Sequence, residues 1–332
     1  MVWLVWLKFI LCVLVIFFSG RVVARYGDII ALRTGLGRIW IGVVLLALVT
    51  SLPELFTGIS AVTLVGAPDL TVGNLFGANA FNLFNLALLD IAYRYGSLLG
   101  MVSPVHRLTG WLSMVLVAIA AVSIFISSRF SAMGIGWIGW YTPVIILLYL
   151  FFMWQIFRSQ QRQPARPLIE QPDYGGIPMS RVYLYFAIAA AFIIGAGTWL
   201  AIIGEEIATV TGWGESFVGS LLIGFSTTLP EITVSFAAMR MGALDMAVAN
   251  MIGSNLFNMT IIPIDDLLYW QGPVLASVSV NHLLTASMVV VMTGVFIAGL
   301  RFKPKRFLKL SWCNLTLIAL FLLQAYLSYT LA

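Results

Sequence analysis

Charge is what this sequence has least of. Only 9% of its 332 residues are Asp, Glu, Lys or Arg, whereas 61% are hydrophobic. A mean hydropathy of +1.00 excludes an ordinary soluble domain. Cysteine and histidine are scarce too, with two of each. Cys12 and Cys313 stand in apolar runs without metal-ligand spacing, which excludes a disulfide framework and a zinc site. His106 and His282 lie near the ends of such runs, and no HExxH motif accompanies them. An enzyme is therefore not expected, and neither is a catalytic residue or a cofactor. There is no separate basic domain, so the net charge of +5 does not argue for nucleic acid.

Long apolar runs are what the chain has in plenty. Stretches near 2–20, 37–64, 70–92, 108–127, 134–157, 182–203, 215–239, 245–269, 283–300 and 310–330 each approach or exceed the roughly 20 residues that cross a bilayer. They predict an all-α integral membrane protein with ten transmembrane helices. The first run lacks a basic n-region and holds Lys8, so it reads as a span and not as a cleaved signal peptide. Sixteen of the 18 Lys and Arg residues fall between spans 1 and 2, 3 and 4, 5 and 6, 7 and 8, and 9 and 10. The positive-inside rule puts those loops in the cytoplasm and both termini outside, in a multi-pass protein of the cell (inner) membrane. Residues 158–181, rich in Pro, Gln and Gly, read as a cytoplasmic linker. The bilayer is the expected surroundings, and no protein partner is implied.

The chain repeats itself. "TSLPE" at 50–54 returns as "TTLPE" at 227–231, an offset of 177, and "GAPDLTVGNLFGANAFN" at 66–82 returns as "GALDMAVANMIGSNLFN" at 242–258, an offset of 176. One residue is lost in the turn between. Asp90 and His106 likewise meet Asp266 and His282. The organisation expected is a five-helix unit at 1–157, the linker at 158–181, and a second unit at 182–332. Five crossings per unit force the second to insert upside down, with a substrate site between the two near mid-membrane.

Glu54 lies 13 residues before the turn at Ala67, and Asn82 lies 15 after it. At about 1.5 Å per residue both are some 20 Å from the turn, and Glu231 and Asn258 repeat this around Ala243. All four approach the middle of a hydrocarbon layer about 30 Å thick. An ionisable group there costs at least about 2.5 to 3.5 kcal/mol, so it is expected to face a cavity and serve an ion pathway. Pro53 and Pro230 deprive the carbonyls of Val49 and Ser226 of helical partners. Thr50 and Ser51 share a helix face with Glu54, as Thr227 and Thr228 do with Glu231. Carboxylates, hydroxyls and carbonyls without His or Cys favour a hard cation such as Ca²⁺, Na⁺ or H⁺. Other residues have plainer readings. Asn79, Asn82, Asn255 and Asn258 suit interhelical hydrogen bonds as well as ligation, and Gly73, Gly77 and Gly253 suit close packing. Asp69 and Asp245 suit N-caps.

These motifs, in this order and orientation, resemble the two α-repeats of the sodium/calcium exchanger family within the calcium/cation antiporter superfamily, and most of all its small prokaryotic members. The resemblance implies that Glu54 and Glu231 ligate Ca²⁺ and share in Na⁺ sites. It implies backbone oxygens from Thr50 and Thr227, hydroxyls from Ser51 and Thr228, and carbonyls from Ala47 and Gly224. Ser254 would complete a Na⁺ site, and Asn82 and Asn258 would flank the centre. It further implies alternating access, with helices 1 and 6 sliding across the others. The function expected is secondary antiport of Ca²⁺ against Na⁺. A proton-coupled cation exchanger is the nearest alternative, and a passive cation channel is the reading from another class. The chain departs from the family pattern at Val49 and Ser226, where Gly is usual, at Ala78, where Ser is usual, and at Asn258, where some members carry Asp. Those departures bear on the coupling ion.

Overall fold

An apolar segment of membrane length has only its own backbone to hydrogen-bond with, and the outcome is helix. The computed structural model describes residues 2–129, 134–162, 174, 176–211, 218–303 and 310–331. Its long helices, in chain order, are α1 (Val2–Thr34), α2 (Arg38–Val65), α3 (Pro68–Ala92), α4 (Val105–Arg129), α5 (Tyr141–Gln161), α6 (Met179–Thr211), α7 (Val218–Arg240), α8 (Leu244–Leu268), α9 (His282–Phe302) and α10 (Trp312–Leu331). Among the described residues, eight are long and apolar enough to cross a membrane, and α10 adds a shorter apolar stretch at Trp312–Ser328.

Burial sorts the bundle. In α8, 83% of the most apolar window is buried, against 22% in α1, so α8 is central and α1 peripheral. α3 packs on α8, and α1 lies along α6. Glycines set how closely helices approach. A Cβ on Gly42 would lie 2.5 Å from the Cβ of Ala249, and one on Gly253 would lie 2.6 Å from the Cα of Val43, so α2 and α8 meet backbone to backbone.

Several boundaries differ from the sequence reading. α1 and α6 do not stop near 20 and 203 but run 33 residues each, about 50 Å at 1.5 Å per residue. Arg21, Arg25 and Arg33, expected in a loop, stand on α1. The helix continues because Val23, Ala24, Ile29, Ile30 and Ala31 remain buried, and the buried Asp28 is paired by Arg38 at 2.5 Å. α5 begins at Tyr141 because residues before it form a small hairpin, β1 (Gly134–Ile135) with β2 (Ile138–Gly139). The linker reading falls largely on 163–173 and 175, outside the described residues. Its flanks return to the α1–α2 junction. Gln160 donates to the Leu36 carbonyl and accepts from the Trp40 N–H at 2.6 Å. Tyr174 donates to Asp28 at 2.6 Å, and burial, with that carboxylate, holds the Tyr174 hydroxyl above the usual phenol range.

The residue lost between the two offsets has a structural explanation. α7 closes with a five-residue loop, the Ala243 N–H on the Ala238 carbonyl at 2.9 Å, and α2 closes with a six-residue one, the Ala67 N–H on the Ala61 carbonyl at 2.9 Å. Ala61 and Ala238 correspond, as do Ala67 and Ala243. The extra residue of the first half is absorbed as a π-helical turn at Ala61–Val65. Both helices then end on a left-handed glycine, Gly66 (φ 69°) and Gly242 (φ 78°), the residue that adopts this conformation without Cβ strain.

Candidate cation site

Proline shapes the site first. α2 is interrupted at Ser51 (φ −93°, ψ 5°), and Pro53 enters the next helical turn. Pro53 has no N–H to offer the Val49 carbonyl, while the Ser51 N–H still reaches Ala47 at 3.0 Å. In α7 Pro230 sits inside a helix that continues through it. Gly197 of α6 lies against both prolines, for a Cβ there would be 2.6 Å from Pro53 Cγ and 3.4 Å from Pro230 Cγ.

The motif side chains then converge in the protein interior. Glu54, Glu231, Thr50, Ser51, Thr227, Thr228, Asn82, Asn258, Ser254 and Ala47 are buried, as is Gly224. Ser51 Oγ donates to Glu231 Oε1 at 3.0 Å. Glu231 Oε2 and both oxygens of Glu54 are buried with no hydrogen-bond partner among the described residues. Thr50 Oγ1 lies 3.3 Å from Ser254 Oγ and 3.4 Å from Ala47 O. Gly224 O accepts from Thr228 at 2.9 Å and from Thr227 at 3.3 Å. The carbonyls of Ala47 and Gly224 are thus drawn to hydroxyls of their own helices.

The asparagines make the interhelical hydrogen bonds considered for them. Asn255 Nδ2 donates to Asn79 O at 3.1 Å, and Asn79 Nδ2 to Asn255 O at 3.4 Å. Asn82 Nδ2 reaches Asn255 Oδ1 and Asn258 Nδ2 reaches Asn79 Oδ1, each at 3.0 Å. These reciprocal bonds tie α3 to α8 and fix the amide orientation through the network. They leave Asn82 Oδ1 and Asn258 Oδ1 buried and without a partner among the described residues. A buried acceptor without a donor is costly, and oxygens of this kind are ones a hard cation can take. No group of three or more His, Cys, Asp or Glu placed to hold a metal occurs among the described residues.

Some roles are reassigned. Asp69 and Asp245 do not cap their helices, since Ala67 and Ala243 hold the N-cap positions without side-chain bonds. Each instead crosses to the other half. Asp245 bonds His106 at 3.0 Å and the Ser103 N–H at 2.6 Å, and Asp69 bonds His282 at 2.9 Å and the Ser279 N–H at 2.7 Å. The histidines therefore pair with these acids and not with Asp90 and Asp266. Asp90 takes the Leu98 N–H, Ser97 and Asn314. Gly253 packs tightly as expected, but a Cβ on Gly77 would meet nothing within 4 Å.

Two further amides were not singled out by sequence. Thr50 Oγ1 lies 3.4 Å from Asn250 Oδ1, and Thr227 Oγ1 lies 3.4 Å from Asn74 Oδ1. Asn74 and Asn250 correspond at the 176 offset, which is the signal that could have marked them. The acids have no part in the cleft of about 990 Å³ that opens between α1, α6 and α7, lined by Phe17, Tyr185 and Phe236 with Arg21, Arg25 and Arg240.

A bundle of membrane-length helices that buries two carboxylates among hydroxyls and amides has the form of a membrane transport protein. Comparison with known proteins narrows the class. Residues 4–158 and 181–332 match the family described as sodium/calcium exchanger protein, and the chain belongs to that family. It is 28% identical to inner membrane protein YrbG of Escherichia coli over 258 residues, 75% of this chain and 74% of that protein. It is 24% identical to the putative antiporter CaxA of Alkalimonas amylolytica over 250 residues, 74% of each. Among solved structures, the sodium-calcium exchanger NCX_Mj superposes with a TM-score of 0.73 at 20% identity, covering 97% of this chain and 98% of that one. The fold is shared with that exchanger, and the chain is a multi-pass membrane protein of an exchanger family, not of an enzyme family.

Proposed function

We propose that the protein exchanges Ca²⁺ for Na⁺ across the membrane by alternating access, through one cage between two inverted five-helix halves. The observation that carries this reading is the pair Glu54 and Glu231, both buried and without a cationic partner among the described residues, where both Glu54 oxygens and Glu231 Oε2 also have no donor. Two carboxylates balance a divalent charge, and Ca²⁺ takes about six to eight oxygens in a forgiving geometry. Glu54, Glu231, Ser51, Thr228, Asn82, Asn258, Ser254 and the backbone oxygens of Thr50, Thr227, Ala47 and Gly224 form the ligand set of this reading.

Reciprocal contacts support the inverted halves. The Asn79–Asn255 exchange, the crossed His–Asp pairs and the Thr–Asn contacts each come as a pair related by the repeat offset. On this reading there are ten crossings, with the arginine-rich loops and the 158–181 linker in the cytoplasm and both termini outside. α1 and α6 slide over the remaining helices, and Gly197 is where α6 rides over the two prolines. Ala78 favours a second reading, proton coupling, because the position lacks the hydroxyl that Ser254 supplies in the other half and a proton needs no oxygen cage.

The experiment is Ca²⁺ uptake into proteoliposomes driven by an imposed Na⁺ gradient, then by a pH gradient. Uptake with Na⁺ is expected; uptake with the pH gradient alone transfers the coupling to H⁺, and none with either overturns the calcium reading.

A further inference from the structure

Asp265 is a further membrane-buried acid, and the repeat does not account for it. It lies on α8, three residues from its end, and is fully buried. Its Oδ2 accepts from Thr71 Oγ1 of α3 at 2.5 Å, and its Oδ1 is buried with no partner among the described residues. Both oxygens rest on Gly58 of α2, where a Cβ would fall 2.6 Å from Oδ2 and 3.2 Å from Oδ1. Gly58 follows Glu54 by four residues, so the two share a helix face about 6 Å apart along the axis. The carboxylate therefore sits one turn from the central acid, at the end of the bundle opposite the arginine-rich loops.

Asp28 and Asp266, buried as well, have fuller sets of partners. Asp28 has Arg38 and Tyr174. Asp266 takes the N–H groups of Gly139 and Val274 and the hydroxyls of Tyr141 and Thr142. Asp265 takes a single hydroxyl. The trio is also built in one half only. At the repeat-related positions Asp265 becomes Leu89, Thr71 becomes Ala247, and Gly58 becomes Ser235, which instead accepts from Asn250 Nδ2 at 3.0 Å. Three side-chain oxygens fall well short of the six to eight or so that Ca²⁺ takes, whereas a proton needs one.

We propose that Asp265 is a proton-binding station on one limb of the ion path, held by Thr71 and given room by Gly58, which makes transport sensitive to pH from that side alone. The proposal rests on the antiporter reading above. The proton resides on Oδ1, and Thr71 keeps its bond to Oδ2 in both states. The titratable groups on the elements packed against Asp265 are Glu54, a turn deeper on α2, and Asp69 on α3, which is held by His282 and the Ser279 N–H. On α8 itself the neighbour is Asp266. When Asp265 is ionised its charge draws cations toward Glu54, and the proton removes that attraction.

The test uses oriented proteoliposomes of the full chain, with pH stepped separately on each face while divalent exchange is followed. For the wild type, acid on the face opposite the arginine-rich loops is expected to slow exchange about tenfold, the order set by losing one unit charge a helical turn from the cation. Acid on the other face should have little effect. Asp265→Asn should lose the one-sided response while still exchanging, and Thr71→Val should shift its midpoint. Infrared difference spectra on acidification give a readout that does not depend on flux: a protonated-carboxyl band present in the wild type and absent in Asp265→Asn. A band retained in Asp265→Asn overturns the proposal whatever the flux does, and so does an unchanged one-sided response in a variant that exchanges. Absent exchange in the wild type, with the band intact, removes the antiport reading and leaves the proton site.

Discussion

Around Glu231 the site is rich in hydroxyls; around Glu54 it is poor. Glu231 accepts from Ser51, whose neighbour Thr50 lies 3.3 Å from Ser254 Oγ, whereas neither oxygen of Glu54 has a hydrogen-bond partner among the described residues. The difference begins with two substitutions within the repeat: Ala78 stands where the second half has Ser254, and Thr228, the counterpart of Ser51, turns back to the Gly224 carbonyl at 2.9 Å. Backbone differs as well, with α2 interrupted at Ser51 and α7 continuous through Pro230. Duplication supplied two equal acids. Later divergence has made their surroundings unequal, and a divalent ion that needs both charges is less sensitive to that than a monovalent ion bound on one side.

The largest effect should come from the feature the halves still share. Glu54→Gln and Glu231→Gln each remove one of two charges opposing a divalent ion, and each is expected to lower Ca²⁺ exchange at least about 100-fold, roughly 3 kcal/mol. Proteoliposome flux at saturating Ca²⁺ is the measurement. If one variant keeps most of its flux, the two acids are not equivalent partners and the central cage is wrong.

A smaller effect separates the halves by packing. Gly253→Ala would put a Cβ 2.6 Å from Val43 Cα and 2.8 Å from Val43 O, both backbone, whereas Gly77→Ala meets open space. Overpacking of this kind costs about 1–3 kcal/mol, while an added methyl on a free helix face gains up to about 1 kcal/mol. The melting temperature in detergent should fall for Gly253→Ala and hold or rise for Gly77→Ala. Equal losses would show that the two sides of the α3–α8 pair are packed alike.

The repeat explains both what sequence could reveal and what it hid. Helical membrane character, the two motifs and the buried acids follow from apolar length and from matched residues such as Pro53 with Pro230. Matching also sets the blind spot. Asp265 stands opposite Leu89, so a search for correspondence passes over it, although an acid inside a span is informative by itself. The acid partners of His106 and His282 are not legible in sequence, because pairing depends on which helix end faces which, and Asp245 and Asp69 come from the opposite half. The ends of α1 and α6 are hard to place by hydropathy because Arg21 and Glu205 resemble loop residues. α1 carries Arg21 within the helix because Val23, Ala24 and Ile29 beyond it stay buried.

The smallest expected effect bears most directly on the coupling ion. Ser254 Oγ lies 3.3 Å from Thr50 Oγ1, and its counterpart Ala78 is fully buried and carries no hydroxyl. If Na⁺ binds on the Ser254 side, Ser254→Ala removes one neutral ligand and should raise the Na⁺ concentration for half-maximal exchange by about fivefold, from the roughly 1 kcal/mol of a single buried polar contact. Ca²⁺ affinity should change less, because the two carboxylates dominate it. Ala78→Ser does the reverse: it offers a second hydroxyl beside Glu54 and should steepen the Na⁺ dependence by bringing another Na⁺ into the coupling. Should both variants leave the Na⁺ dependence unchanged while a pH gradient still drives uptake, the unequal hydroxyls play no part in coupling. The difference between the halves would then lie in Asp265, the acid that only the second half possesses.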